Sequence, residues 1–365
     1  MLGVVVFIVA ILGSVMLHEA GHFVTARWSG MKVHEFFVGF GPKLWSFKRG
    51  ETEYGIKALP LGGYVKIAGM NPYEELAPED VDRVYRAKPA WKRAIVLCAG
   101  SFMHFVIAFV ILIGIFAFAG VHGAPTLTIA EIAPGTPAAS AGFEAGDEVV
   151  RVAGTQVDEW AQVVDIVREH PGDRIDIELL RDGEPLTLTP TVGEHPDDET
   201  IGYLGVGPEQ PRIKQSIPTA TKNAVFELRD GASASFKAFI GLFSPSSLSR
   251  LFDVATSDEP RTVEDPASLV GIGQQTSALV SDSNWVGFFS LVAAFNIFIG
   301  VANLIPLPPL DGGHLAVLVY EKIRRRQVDM QKLVPITMVV ILALGSMFML
   351  LLYLDIAKPL PNLPG

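Results

Sequence analysis

Four long apolar runs constrain what this chain can fold into more than any other feature of its sequence. They cover residues 1–26, 94–120, 285–320 and 333–354. A helix needs about 20 mostly apolar residues to cross the hydrocarbon core of a bilayer, and each run is long enough. Prolines and glycines interrupt the third run, which is therefore expected to be a broken helix. The sequence predicts a polytopic α-helical membrane protein with four transmembrane helices.

Charged residues are distributed unevenly among the segments that join these runs. Residues 27–93 hold 12 basic and 8 acidic residues, and residues 321–332 hold 5 basic and 2 acidic residues. Residues 121–283 hold 11 basic and 26 acidic residues. Because basic loops tend to remain in the cytoplasm, we expect the two basic segments there, and the acidic block and both chain ends outside. No basic run resembles a nucleic-acid footprint, so we expect no nucleic-acid partner.

The first apolar run ends in the motif HEAGH at residues 18–22. His18 and His22 are four residues apart, so they lie on one helix face and can both reach one Zn²⁺ ion. Glu19, beside the first histidine, is placed to accept a proton from water. A catalytic zinc site usually has three protein ligands, so a third is expected elsewhere. We do not expect the first run to be a cleaved signal peptide, because no basic segment precedes it and the metal motif would lie near the cut.

The third run contains the sequence NLIPLPPLDGGH at residues 303–314. Irregular backbone at membrane depth is tolerated only where it is buried in protein or lines a water-filled cavity. Asp311 lies in this break, and an ionisable residue inside a membrane segment marks a functional site. We expect Asp311 to be the third zinc ligand, with a helix N-cap as the alternative role.

These two motifs together resemble the site-2 protease family of intramembrane zinc metalloproteases. The arrangement of the whole chain is similar to the bacterial regulator-of-sigma-E branch, which has four spans and a PDZ domain between the second and the third. The resemblance implies one Zn²⁺ per chain, held by His18, His22 and Asp311, with Glu19 as the catalytic residue. It also implies that Asn303 holds the substrate backbone or the oxyanion.

Polar residues inside the spans are further candidates for the site. Asn296 precedes Asn303 by two helical turns and is predicted to face the same cavity and bind substrate. The alternative for Asn296 is a hydrogen bond between helices. His104 in the second run is expected to be packed and hydrogen-bonded rather than to be a ligand.

Residues 27–93 are predicted to form a membrane-associated β-sheet and a connector on the cytoplasmic side. Short apolar stretches alternate with glycines within residues 38–67, and KRGET is typical of a hairpin turn. An unwound substrate could add to the edge of such a sheet as a further strand. Gly39 and Gly41 would permit close approach of its backbone. The alternative is a purely structural sheet that anchors the first span.

Residues 124–207 differ in character from the runs around them. The stretch IAPGTPAASAGFEAGDEVV resembles the PDZ pattern of bacterial proteases. We expect a helix within residues 160–172 and a hairpin that turns at Asp182 and Gly183. The resemblance implies an extracytoplasmic PDZ domain that recognises substrate or excludes bulky ectodomains, with a simple spacer as the alternative. Residues 208–284 are predicted to be an extracytoplasmic linker with amphipathic helices, one of them on the outer leaflet.

Taken with the family resemblance, the sequence predicts an intramembrane zinc endopeptidase in a bacterial cell membrane, with its active site near the cytoplasmic side. The implied substrates are single-span proteins, such as anti-sigma factors already cut by an upstream site-1 protease, or remnant signal peptides. A non-catalytic PDZ adaptor with a structural metal is the alternative, and it would favour a closed four-ligand shell. A metal transporter would instead line a path with several polar sites.

Overall fold

The structure is a computed structural model that describes residues 2–361 except 72, 73, 75, 76, 196, 197, 263, 264 and 327. It divides into two units. Unit 1 comprises Met1–Phe116 and Ser216–Gly365, and unit 2 comprises Ala117–Gln215.

Helices and strands alternate unevenly along the chain. The helices are α1 (Leu2–Trp28), α2 (Ala90–Gly114), α3 (Pro137–Ala141), α4 (Trp160–Arg168), α5 (Ile217–Leu242), α6 (Pro245–Thr256), α7 (Leu269–Ser281), α8 (Trp285–Leu304), α9 (Asp311–Arg324) and α10 (Val334–Ala357). The strands are β1 (Val33–Arg49), β2 (Thr52–Ile67), β3 (Val121–His122), β4 (Ile129–Ile132), β5 (Glu148–Val152), β6 (Thr155–Gln156), β7 (Ile177–Arg181), β8 (Glu184–Leu188), β9 (Gly193–His195), β10 (Asp198–Tyr203), β11 (Val206–Pro208) and β12 (Arg212–Ile213).

All four predicted spans are mostly helical. Within the described residues, four helices are long and apolar enough to cross a membrane: α1, α2 with a π-helical extension, α8, and α10 with the turn before it. The third run breaks after Leu304 and resumes as a helix at Asp311. The intervening prolines cannot donate the backbone hydrogen bonds that a continuous helix requires. Apolar side chains on α10, such as Val339 and Leu342, are well exposed and suited to lipid.

Strands β1 and β2 form one long antiparallel hairpin that curls over itself. Residues 35–38 pair with residues 63–66 and also with residues 53–56. The base of β1 therefore lies between the two halves of β2, and residues 63–66 form one edge of the curled sheet. The other edge carries exposed apolar side chains, among them Leu44 and Trp45. The sheet predicted within residues 27–93 is present, with a more compact shape than a flat hairpin.

Helix α5 forms where an amphipathic helix is predicted, and one side of it packs against two of the spans. Ala224 is fully buried in a cluster with Ala108 and Leu112 of α2 and with Ala293 and Ile297 of α8. These α8 positions lie along the middle of a span, so α5 packs along the bundle. Apolar side chains such as Phe226 and Phe236 remain exposed elsewhere on α5, so its placement on the outer leaflet stays a prediction.

A buried ion pair joins the last helix to the segment before α7. Arg261 Nη1 donates to Asp355 Oδ1 at 2.6 Å, and both side chains are completely buried. The other carboxylate oxygen of Asp355 accepts from the backbone N–H groups of Ser268 at 2.7 Å and Gly271 at 3.0 Å. One carboxylate thus fixes the end of α10 against the N-terminus of α7.

Unit 2 has a sheet with strand order β6-β5-β7-β8 and its own core. The predicted hairpin is present and turns at Asp182 and Gly183, whose φ angles are +54° and +82°. The helix predicted within residues 160–172 is also present, as α4. Asp147 is 1% exposed and accepts from Arg181 Nε at 2.7 Å and Arg181 Nη2 at 2.8 Å. A groove of about 210 Å³ lies between α4 and residues 202–206.

Candidate metal centre

Two imidazoles on α1 point to one spot inside the helix bundle. His18 and His22 are 8% and 7% exposed, and their Nε2 atoms lie 3.0 Å apart. The four-residue spacing places both rings on the same helix face. The remaining ring nitrogen of His22, Nδ1, is 2.7 Å from the carbonyl oxygen of Val96 on α2. This bond fixes the orientation of the His22 ring and leaves Nε2 to face His18.

Asp311 completes a group of three candidate metal ligands. Its Oδ2 atom lies 3.4 Å from His18 Nε2 and 3.3 Å from His22 Nε2. Ligands about 2.1 Å from a tetrahedral metal lie about 3.4 Å from one another, so the three separations suit one ion. Within the described part of the chain, this is the one group of three His, Cys, Asp or Glu residues close enough to share a metal.

The surroundings of the Asp311 carboxylate also fit a cation. Oδ2 is buried, and its 3.3 Å and 3.4 Å contacts with the two imidazole nitrogens lack good hydrogen-bond geometry, a costly state unless a ligand satisfies it. The alternative N-cap role falls to Leu310, because Asp311 is already the first helical residue of α9. A Cβ added at Gly312 would lie 2.2 Å from the carbonyl oxygen of Leu304. This glycine therefore allows α9 to start close against the end of α8, which brings Asp311 to the histidines.

Helix α2 forms the wall behind the two imidazoles. A Cβ added at Gly100 would lie 2.3 Å from His22 Nε2 and 2.5 Å from His18 Cε1. Only a residue without a side chain fits there, since Cβ contacts below 3.0 Å force a neighbour to move. Sequence reasoning missed Gly100; the one available signal was a glycine inside an apolar span, which usually indicates close helix packing.

Glu19 sits next to the ligand set, at the junction between α1 and the curled hairpin. The backbone N–H of Val65 in β2 faces its carboxylate. A Cβ added at Gly63 would lie 3.3 Å from Glu19 Cγ. The edge of the sheet formed by residues 63–66 therefore lies directly against the residue predicted to be the base.

The remaining predicted site residues occupy different surroundings. Asn303 is partly exposed near the end of α8. Asn296 is fully buried, with its side chain bonded to His104 and to the carbonyl oxygen of Val292, each at 2.8 Å. The structure thus gives Asn296 the alternative role, the bond between helices, and leaves it no surface for a substrate.

The two glycines proposed for the substrate strand lie at the bend of β1. Gly39 and Gly41 both have φ of +84°, a conformation that favours glycine. A Cβ added at Gly39 would lie 2.6 Å from the carbonyl oxygen of Leu59 in β2, whereas one at Gly41 would meet Leu59 side-chain atoms at 3.7 Å. Within this structure, both residues serve the curling of the hairpin.

Comparison with known proteins agrees with this chemistry. A family model described as Peptidase family M50 matches residues 6–346. The chain is 38% identical over 402 aligned positions to zinc metalloprotease Rip1 of Mycolicibacterium smegmatis, with 98% of each chain covered. It is 35% identical over 402 aligned positions to zinc metalloprotease Rip1 of Mycobacterium tuberculosis, again with 98% of each chain covered.

Proposed function

Because the chain belongs to peptidase family M50 and is a zinc metalloprotease, we propose that it cuts peptide bonds inside the membrane, within the transmembrane segments of single-span proteins. One observation carries the proposal: the three ligand atoms of His18, His22 and Asp311 converge inside a bundle of apolar helices. His22 lies six residues before the end of α1, about 9 Å along the helix. If α1 enters from outside, the bond to be cut lies in the cytoplasmic half of the bilayer.

The residues around the centre suit peptide hydrolysis. One zinc ion per chain would be held by the Nε2 atoms of His18 and His22 and by Oδ2 of Asp311. When bound, zinc supplies a Lewis acid that polarises a carbonyl and makes water more acidic. Glu19 removes a proton from the attacking water and later gives one to the leaving amine. Asn303 donates from its amide to the substrate backbone near the scissile bond.

The curled hairpin offers a way to hold an unwound substrate. A transmembrane helix satisfies its own backbone hydrogen bonds, and breaking them in lipid costs several kcal/mol for each unsatisfied group. Residues 63–66 form a sheet edge beside Glu19, so an extended substrate added there would regain hydrogen bonds next to the base. Exposed apolar side chains on the opposite edge suit contact with lipid.

A comparison of two glycines tests the hairpin. Gly39→Ala should distort the bend, because its new methyl group would meet the Leu59 carbonyl at 2.6 Å, whereas Gly41→Ala has no contact below 3.7 Å. We expect Gly39→Ala to lower kcat/KM at least tenfold more than Gly41→Ala, measured with a reconstituted transmembrane substrate. Equal kcat/KM values for the two variants would show that the hairpin does not help to bind the substrate.

Unit 2 is proposed to be an extracytoplasmic PDZ domain. Its sequence pattern, the α4 helix and the hairpin at Asp182 support this, together with the groove between α4 and residues 202–206. Apolar side chains of Val163, Val167 and Leu204 line that groove, which suits an extended peptide. The proposed partners of the whole protein are anti-sigma factors already cut by a site-1 protease, and remnant signal peptides, in a bacterial cell membrane.

The decisive experiment is reconstitution of the full chain in liposomes with a panel of single-span substrates. Wild type should cut within the transmembrane segment of at least one of them. Glu19→Gln should bind zinc as wild type does but turn over at least a thousandfold more slowly, because amide nitrogen cannot act as the base. Equal cleavage by Glu19→Gln and wild type would show that Glu19 is not the base.

A further inference from the structure

The two histidine ligands differ in how their second ring nitrogen is satisfied. A metal-binding histidine almost always donates its other ring N–H to an acceptor, which fixes the ring and its tautomer. His22 has such a partner, since its Nδ1 meets the carbonyl oxygen of Val96. His18 is less well supported: the Gly100 carbonyl approaches its ring, but Nδ1 is buried and makes no hydrogen bond of good geometry among the described residues. One ligand of the centre is therefore incompletely supported by the bonds in this structure.

His104 lies next to the unsatisfied ring. Its imidazole is 5.0 Å from that of His18, centroid to centroid, and the two planes are inclined at 47°. That separation allows hydrogen-bond contact between nitrogens of two imidazoles. His104 is 1% exposed, so no bulk water competes for the position. It follows Gly100 by one turn of α2, on the face that already contacts both metal ligands.

The hydrogen bonds beyond His104 determine which of its nitrogens carries the proton. Asn296 Nδ2 donates to the carbonyl oxygen of Val292 at 2.8 Å, and this bond turns Asn296 Oδ1 toward His104. Oδ1 can only accept, so His104 Nδ1 must be the donor across the 2.8 Å contact. A neutral His104 then has an unprotonated Nε2 that can accept a hydrogen bond.

We propose that His104 is a positioning residue for the metal centre, whose Nε2 accepts the Nδ1–H of His18. The resulting chain runs from the Val292 carbonyl through Asn296 and His104 to His18, and so connects α8, α2 and α1. It deepens the proposed function, because it rests on zinc being bound by His18 Nε2. The proposal also assigns a role to the fully buried Asn296, whose amide oxygen holds the proton on His104 Nδ1 although Asn296 does not contact the metal ligands itself.

The test compares two substitutions of similar size in the full chain purified in detergent. His104→Gln keeps an oxygen acceptor near the position of Nε2, whereas His104→Met fills the space without a strong acceptor. We expect the Met variant to bind zinc about 10- to 100-fold more weakly than wild type, by chelator competition. The Gln variant should remain within about threefold of wild type, and the metal-free melting temperatures of the two variants should agree.

Cobalt substitution adds a readout that packing alone would not change. The visible spectrum of bound Co²⁺ reports ligand geometry, so the Met variant should shift the bands and the Gln variant should keep them. Equal zinc affinity in the Met variant and wild type, or equal losses in the Met and Gln variants, would overturn the proposal. If the Met variant does not fold, Asn296→Leu against Asn296→Asp gives the same comparison. In the Asn296→Leu variant no acceptor holds the proton on His104 Nδ1, so this variant should bind zinc more weakly than Asn296→Asp. Equal zinc affinities of the two variants would again overturn the proposal.

None of these measurements needs a peptide substrate. A wild-type protein that binds zinc but cuts nothing would contradict the proposed function and leave the His104 inference standing. If wild type binds zinc normally and the His104→Met substitution does not change the zinc affinity, only the His104 inference is contradicted. Failure of wild type to bind zinc would overturn the zinc chemistry and, with it, the role of His104.

Discussion

The tightest steric constraint on the metal centre is the absence of a side chain at Gly100, and replacing it with alanine tests the whole arrangement. The added Cβ would lie 2.3 Å from His22 Nε2, and ordinary contact begins at 3.4 Å, so one partner must move by about 1.1 Å. Metal–nitrogen bonds tolerate errors of only about 0.2 Å. A displacement of about 1 Å costs about a hundredfold in activity. Gly100→Ala should therefore lower kcat/KM at least a hundredfold and weaken zinc binding.

The matched control lies on the same helix. Gly114 has no atom within 4 Å of its added Cβ, so Gly114→Ala receives the helix-propensity gain without a clash. That gain is about 0.5–1 kcal/mol and applies to both variants. Gly114→Ala should match wild type in zinc content and turnover, with an equal or higher melting temperature. The reasoning is refuted if Gly100→Ala retains zinc affinity and kcat/KM within threefold of wild type.

Two further predictions concern the stability of the two units. In unit 2, burial by itself raises the pKa of Asp147, but the hydrogen bonds from Arg181 outweigh it and hold the pKa below its usual 3.8. The bond therefore stabilises unit 2 above about pH 4 and is lost as the pH falls through the lowered pKa of Asp147. The protection factors of β5 and β7, which correct hydrogen-exchange rates for the intrinsic effect of pH, should fall below pH 4 in wild type but much less in Asp147→Asn. In unit 1, Arg261→Ala leaves the buried carboxylate of Asp355 without its cation and should destabilise the protein by about 3–5 kcal/mol, seen as a lower melting temperature in detergent. An unchanged melting temperature would mean that the pair does not hold the end of α10.

Much of the centre could be predicted because its residues follow simple periodicities. His18 and His22 belong to one helical turn, and the length of the apolar run places that turn within a span. Asp311 could be found because prolines and an ionisable residue in an apolar segment are expensive without a role. These signals are local, so they need no knowledge of how the helices pack.

The parts that sequence did not predict depend on packing between distant segments. Nothing local distinguishes Gly100 from other glycines in the spans, because its importance arises from the rings of another helix. Asn296 shows the same limit: its spacing from Asn303 indicates a shared face, whereas its partner His104 lies on α2. The curl of the hairpin, in which residues 35–38 pair twice, likewise follows from long-range pairing rather than from the strand pattern.

The separation of the ligands along the chain has a consequence for biosynthesis. The histidines are made within the first span, but the carboxylate that joins them belongs to α9, after the third span and far toward the other end of the chain. A ribosome-bound nascent chain thus cannot assemble the centre until the late helices have entered the bilayer. A prematurely terminated chain that ends before α9 would lack the third proposed ligand, and we expect it to have no peptidase activity.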